Sequence, residues 1–256
     1  MKNIGKILIY LLLLSIFSFK SVLAERLFIF NPEAKTSDFG PIKIKLEKLL
    51  SSEGLTTEVY LFANSEDFNI AVKHFKPDFA IVASYYFTSM VNTYNWKSIL
   101  AGHKKGEKEY NKILIALNSI KEPLHLKAKS LATVFFGATS IPYIESQLPS
   151  GVSFGDIRIV SVSKDIDAIM ALGFEQVQAA IVTKANFNKL KQINPDVVKN
   201  LYILQELKAT EYPKLVMFPE AKNINKFINI FKKMEYTGDI ESILRFFDIT
   251  GFASES

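Results

Sequence analysis

Phe79-Ala80-Ile81-Val82-Ala83-Ser84-Tyr85-Tyr86 is the stretch that decides the fold. An unbroken apolar run cannot alternate between a wet and a dry face. Phe79 to Ala83 therefore reads as a strand buried on both sides, as in a parallel sheet covered by helices. Two similar runs precede it: Leu27 to Phe30 and Glu58 to Phe62. Between the first and second, Pro41 opens a helix in its first turn, where a missing N–H costs nothing. Ile42, Leu46, Leu49 and Leu50 follow at helical spacing, and Gly54 ends the pattern. A second helix is predicted around Ser65 to Lys73. The order is βαβαβ, half of an open α/β sheet. Ligands gather at the carboxyl ends of such strands, here Asn31-Pro32 and Ser84-Tyr85-Tyr86.

Downstream the same alternation begins again. Ile113 to Leu117, Ser130 to Phe136, Ile157 to Val160, Ala179 to Val182 and Leu201 to Leu204 read as strands. Gly137 to Pro142 turns into a helix running towards Leu148. Ser163 is the expected cap of another, with Ile166, Ile169 and Met170 on one face and Gly173 at its end. A further helix passes through Phe187 and Leu190. Lys214 to Phe218 reads as a strand returning to the first series. Two amphipathic helices follow, with stripes Ile224, Phe227, Ile228, Phe231 and Ile240, Ile243, Leu244, Phe247.

The amino end has the charged, apolar, small-residue order of a cleavable signal peptide: Lys2 and Lys6, the run Ile7 to Phe19, then Val22-Leu23-Ala24. The apolar run is too short for the ~20 residues of a spanning helix. Cleavage is expected after Ala24, which makes the protein periplasmic. The chain has 31 Lys and Arg against 26 Asp and Glu. Lys2, Lys6 and Lys20 leave with the leader and no acid does, so 28 against 26 leaves the remainder at only +2. Its bases are scattered, and no nucleic-acid partner is expected. With no cysteine, disulfides, thiolate metal sites, cysteine nucleophiles and a lipid-modified amino-terminal cysteine are excluded.

The inventory for catalysis is thin. The three histidines, His74, His103 and His125, show no ligand spacing, so neither a metal nor another cofactor is expected. No Gly-x-Ser-x-Gly elbow, Walker loop or Gly-x-Gly-x-x-Gly is present, and no enzyme is expected. Acidic pairs such as Glu66-Asp67 and Asp165/Asp167 fall at helix starts, where they complement the dipole. Arg26, Arg158 and Arg245 read as strand or helix residues away from any site, so recognition is expected to use neutral donors. Gly137 to Ser140 joins a strand to a helix start, and the hydroxyls of Thr139 and Ser140 add donors to free N–H groups there. That is an anion-binding arrangement.

A resemblance follows from the order of these features. Ser84-Tyr85-Tyr86 comes first, then Tyr110-Asn111-Lys112-Ile113 before a crossover strand. Leu124 to Ala132, the Ala138-Thr139-Ser140 turn with Pro142, and Gln178-Ala179-Ala180-Ile181-Val182-Thr183 complete it. The order resembles the phosphate/phosphonate-binding family of periplasmic solute-binding proteins that feed ABC importers, over residues 27 to 235. The resemblance implies a type-II clamp of two α/β lobes, each an open, mostly parallel sheet with helices on both faces. The lobes are expected at 25–110 plus 213–256, and at 111–212. It also implies a ligand held between them, with Tyr85 and Tyr86 from lobe one, Thr139 and Ser140 from lobe two, and Asn31 and Thr183 completing the set. The expected ligand is a small phosphorus oxyanion or related anion, and the partner is the membrane permease of an importer acting with a monomer. A membrane sensor kinase as partner, or a more apolar ligand, remains an alternative. The sequence departs from the family at Gln176-Val177-Gln178, where the family carries an acid, and at Ala138, which replaces a hydroxyl.

Overall fold

The structure is a computed structural model that describes residues 24–135, 137–234 and 236–255. The expected leader lies outside them except for Ala24. The chain opens with β1 (Glu25–Phe30), α1 (Phe39–Ser52), β2 (Thr57–Phe62), α2 (Ser65–Phe75), β3 (Phe79–Val82), α3 (Ser84–Tyr94) and β4 (Lys97–His103). It leaves through the short β5 (Glu109–Tyr110) to build β6 (Lys112–Leu117), β7 (Ser130–Val134), α4 (Ile141–Gln147), β8 (Arg158–Val162) and α5 (Asp165–Gly173). Then come β9 (Ala179–Thr183), α6 (Lys184–Ile193), α7 (Pro195–Val198) and β10 (Leu201–Glu206). It returns along β11 (Thr210–Glu211) to β12 (Lys214–Met217), α8 (Ile224–Lys232), α9 (Gly238–Phe246) and β13 (Gly251–Ala253).

Two sheets result. The first has the order β13-β4-β12-β3-β1-β2. β1 pairs in parallel with β2 and β3, while β12 and β13 are antiparallel to their neighbours, so four of six strands run one way. The second has the order β10-β6-β9-β7-β8. β6 alone opposes the rest, leaving four of five strands aligned. Among the described residues the two crossing segments pair as the ribbon β5–β11, Tyr110 opposite Thr210 and Glu109 opposite Glu211. Each of its strands is two residues long.

Each sheet is buried on both faces, which is why its central strands had to be apolar throughout. Successive residues of a strand point to opposite sides. Leu27 and Ile29 pack with Leu46, Leu50, Phe227 and Leu244. Phe28 and Phe30 pack on the other side with Phe68, Tyr86 and Trp96. The second lobe repeats the scheme, with Ile113, Ile115 and Val182 towards α5 and α6 and Leu114, Ala116 and Ile181 on the reverse. Each large side chain buried there contributes about 1.5–3 kcal/mol.

Several elements differ from the sequence expectation. Ser84 to Tyr94 is a helix where the sequence reading assigned no element. β4 and β13 extend the first sheet beyond the strands read from the sequence. Ser163 does not cap α5; Lys164 occupies that position without a side-chain bond.

Candidate functional site

β1 ends at Phe30, and the chain turns at Asn31, whose amide Nδ2 donates to Phe246 O at 2.8 Å while its Oδ1 accepts from Glu33 N at 3.1 Å. β3 ends beneath Tyr85, and in the other lobe β9 ends at Thr183. These carboxyl ends face one another across a cleft of about 820 Å³. Lobe one lines it with Asn31, Glu33, Tyr85 and Arg245, and lobe two with Lys164, Asp165, Thr183, Lys184 and Asn186. Tyr110 and Tyr212, whose ring centroids are 5.1 Å apart, close its hinge side.

The cleft is strongly charged, contrary to the expectation of neutral donors only. Asp165 is 1% exposed. Its Oδ2 accepts from Thr183 N at 2.6 Å and Asn186 Nδ2 at 3.3 Å, and its Oδ1 is buried with no partner among the described residues. Lys112, 3% exposed at the start of β6, holds its Nζ 5.8 Å from the centroid of the Tyr143 ring, within cation–π range. Burial works against this ammonium, yet Tyr143, Asp165, Tyr110 and Glu33 around it hold its pKa well above the ordinary value. Burial pushes the Glu33 carboxyl up to about 6; Lys112 opposes that, while Asp165 and Asp248 add to it. Burial likewise raises the Tyr85 hydroxyl well above its ordinary value.

The six residues expected to hold ligand do not all meet. Asn31, Tyr85 and Thr183 line the cleft. Thr183 also caps α6, its Oγ1 accepting from Asn186 N at 3.3 Å. Tyr86 does not reach the cleft. It is fully buried in the first lobe, and its hydroxyl donates to Asn69 Oδ1 at 2.5 Å. One residue further along a helix turns the side chain by about a quarter of a circle, so Tyr85 faces lobe two and Tyr86 the core. Ser140 is fully buried, and its hydroxyl donates to Gly137 O at 2.6 Å, closing the turn that carries it. Thr139 Oγ1 is buried without a partner among the described residues. Lys112, Asp165 and Glu33 were not singled out as site residues. The groups beside Asp165 and Lys112 come from distant stretches of the chain, which no local pattern reveals.

The lobes touch at two further places. The Tyr85 ring stacks on Tyr143 with centroids 4.5 Å apart and planes 23° from parallel, and Tyr143 OH lies 2.9 Å from Thr210 Oγ1 on the hinge ribbon. Gly137, at φ 98°, sits so close to the start of α2 that a Cβ on it would lie 2.7 Å from Glu66 Oε1 and 3.1 Å from Ser65 Oγ.

No protein-family model matches the sequence, and no curated protein does. Solved structures do match in shape. XAC2383 from Xanthomonas citri, bound to ATP, superposes with a TM-score of 0.69 at 11% identity, covering 91% of each chain. A binding-protein component of an ABC phosphonate transporter from Pseudomonas aeruginosa gives 0.65 at 14% identity, covering 91% of this chain and 82% of that one. PhnD1 from Prochlorococcus marinus, in complex with methylphosphonate, gives 0.64 at 12%, covering 91% and 93%. The fold is that of the two-lobed solute-binding proteins. The β5–β11 ribbon joins the two lobes, and the charged cleft lies between them.

Thr139 gives a direct test of its part in the clamp. Valine has the same shape without the hydroxyl. If that hydroxyl waits for a ligand oxygen, Thr139→Val lowers affinity by about 10- to 150-fold and leaves the melting temperature unchanged or higher. Calorimetric titration and a melting curve on one sample separate this from a purely structural hydroxyl, whose loss leaves affinity as it was.

Glu33 predicts a pH dependence. Its folded pKa, about 6, lies above the ordinary 4.5. The proton therefore binds more tightly to the folded clamp. The resulting stabilisation is full below pH 4.5 and is lost as pH rises through 6. The difference amounts to about 2 kcal/mol. Glu33→Gln should remove this share of the slope in melting curves between pH 4.5 and 7.5. A slope unaltered by the substitution would assign the titration to another group.

Proposed function

We propose that this protein is a periplasmic solute-binding protein. It captures a small ligand bearing an oxyanion, of the phosphate or phosphonate class, between its lobes and presents the closed form to the permease of an ABC importer. The observation that carries this reading is the two-residue hinge ribbon beneath a cleft lined by both lobes. A hinged pair of rigid lobes binds by closing on its guest. Oxyanion capture is supported by the basic residues around the cleft: Lys164, Lys184, Lys189 and Arg245 on its lining, with Lys112 buried behind them. The solute-binding fold and a bound methylphosphonate in PhnD1 favour the same class.

Export is supported by the charged, apolar, small-residue order of residues 1 to 24. Glu25 is already in β1 and buried, and its N–H donates to Thr56 O at 3.0 Å. Glu25, the residue expected to follow cleavage, is thus the first residue of a sheet strand. Amino-terminal sequencing of exported protein should begin at Glu25; a retained, membrane-bound full-length chain would defeat the export reading. Small-angle scattering tests capture itself. Protein isolated with its ligand should be more compact than the same protein after denaturation, dialysis and refolding, and identical profiles would speak for a rigid protein with another role.

A further inference from the structure

A second cavity, of about 520 Å³, lies where the two lobes meet the β5–β11 ribbon. α3 of lobe one, α4 of lobe two and both crossing segments wall it, and Tyr85 borders both this cavity and the charged cleft. Four hydroxyls on its wall have already spent their protons. Ser84 Oγ donates to Glu211 O at 2.6 Å and Thr88 Oγ1 to Ser84 O at 3.1 Å. Ser89 Oγ donates to Tyr85 O at 2.9 Å and Ser146 Oγ to Tyr143 O at 2.7 Å. A hydroxyl has one proton and two lone pairs, so each of the four offers a guest acceptors only. Gln147 also lines the cavity. It is 5% exposed, and its Oε1 has no partner among the described residues. A buried acceptor left unbonded is a standing cost to the fold.

The ribbon adds negative charge to the same wall. Glu109 and Glu211 stand directly opposite one another in it, and like charges so placed repel. Glu211 lies 2.9 Å from the Lys214 ammonium but shares it with Glu255, at 2.8 Å. Neither Lys208 on this wall nor any other cation of a described residue comes within 4.0 Å of the Glu109 carboxylate. We propose that this cavity is a second binding site, for a small organic amine in its cationic form. The N–H groups of the amine answer the unbonded acceptors, and its charge relieves the opposed glutamates. Its methylenes have Pro142 and the rings of Tyr85 and Tyr143 beside them, and an ammonium is attracted to such rings. An anion would meet two carboxylates and four hydroxyls without a free proton, so it is excluded here. The site is separate from the cleft and does not rest on the capture reading. Because both lobes and both crossing segments supply its walls, a bound amine touches every part of the joint between the lobes.

Calorimetric titration with 1,4-diaminobutane, and with 1,4-butanediol as its uncharged counterpart, tests this. The diamine should bind and the diol should not. Glu109→Gln should weaken the diamine about fivefold, the upper end for an ion pair at the surface. Gln147→Leu should weaken it about 2- to 10-fold, the range for one neutral hydrogen bond. The same substitution should leave the melting temperature unchanged or higher, because it removes an acceptor that has no partner. Neither Glu109 nor Gln147 lines the charged cleft, so both substitutions separate the two sites. A diamine whose affinity neither substitution alters would be seated in the cleft, and the second site would fall. Equal binding of diamine and diol, or no heat from the diamine at millimolar concentration, would also overturn it. Glu109 is exposed on the ribbon, so its variant decides the matter even if Gln147→Leu fails to fold.

Discussion

Tyr86→Ala should destabilise the protein by about 3–5 kcal/mol, the range for removing a large buried aromatic side chain, while Tyr85→Ala should barely change stability and should instead loosen the closed clamp. The residues are adjacent and chemically identical, so only their placement separates them. The Tyr86 ring lies 4.6 Å from Phe30 and 5.6 Å from Phe68, and its hydroxyl is bonded to Asn69. Alanine there leaves a cavity in close-packed aromatics and an amide oxygen with one partner fewer. Tyr86→Phe isolates the hydroxyl and should cost about 0.5–1.5 kcal/mol. Tyr85 sits at the margin of the same core and also stacks across the cleft on Tyr143, a contact that exists only while the lobes are together. A stacked pair contributes about 0.5–1.5 kcal/mol beyond its buried area, so the substitution should shift the balance towards the open form. Urea melts of the three variants, with scattering on Tyr85→Ala, check this. A large stability loss at Tyr85 with little at Tyr86 would place the second tyrosine in the cleft.

This pair also shows where sequence reasoning reaches its limit. The strand Phe79 to Val82 was legible because burial on both faces leaves no room for a polar residue, and every buried central strand carried the same mark. α3 was not legible. Its residues, Ser-Tyr-Tyr-Phe-Thr-Ser-Met-Val-Asn-Thr-Tyr, are mostly weak helix formers, Ala83 gives no side-chain cap, and the helix ends at Asn95 in the left-handed region. With no helix assigned there, nothing separated the two tyrosines, and both were candidates for the cleft. Asp165 was misjudged for a different reason. An acid at a helix start has a sufficient local explanation in the dipole, and its partners Thr183 and Asn186 lie 18 and 21 residues away. Lys112 stood at the head of the apolar run Ile113 to Leu117, whose burial was evident, but a strand pattern does not show that its first residue is buried beside the Tyr143 ring. The fold was thus written in local composition. The charge balance of the site depends on juxtaposition, which local pattern does not encode.

The closed clamp can be locked through the contact at Gly137. With Ser65→Cys and Gly137→Cys together, oxidation should trap any guest inside and exclude any guest outside, and a reductant should restore exchange. A Cβ at position 137 lies 3.1 Å from Ser65 Oγ, one bond from that residue's own Cβ. The two Cβ atoms therefore fall near the ~3.5–4.5 Å that a disulfide spans. The native chain has no cysteine, so no other thiol competes. Gly137 has φ 98°, and a side chain at such a position costs about 1–3 kcal/mol. That cost is present in both redox forms, so the reduced double variant is the proper reference. Because Ser65 belongs to lobe one and Gly137 to lobe two, the bridge constrains the jaws and not either lobe internally. If guests pass only when the jaws part, exchange in the oxidised protein should fall below measurement and return on adding dithiothreitol. Equal exchange in both forms would mean that the cleft fills without opening. Failure of the bridge to form under oxidant would mean that the ligand-free clamp rests open, with this approach of Ser65 to Gly137 belonging to the loaded state, and the same oxidation repeated with a bound guest should then succeed.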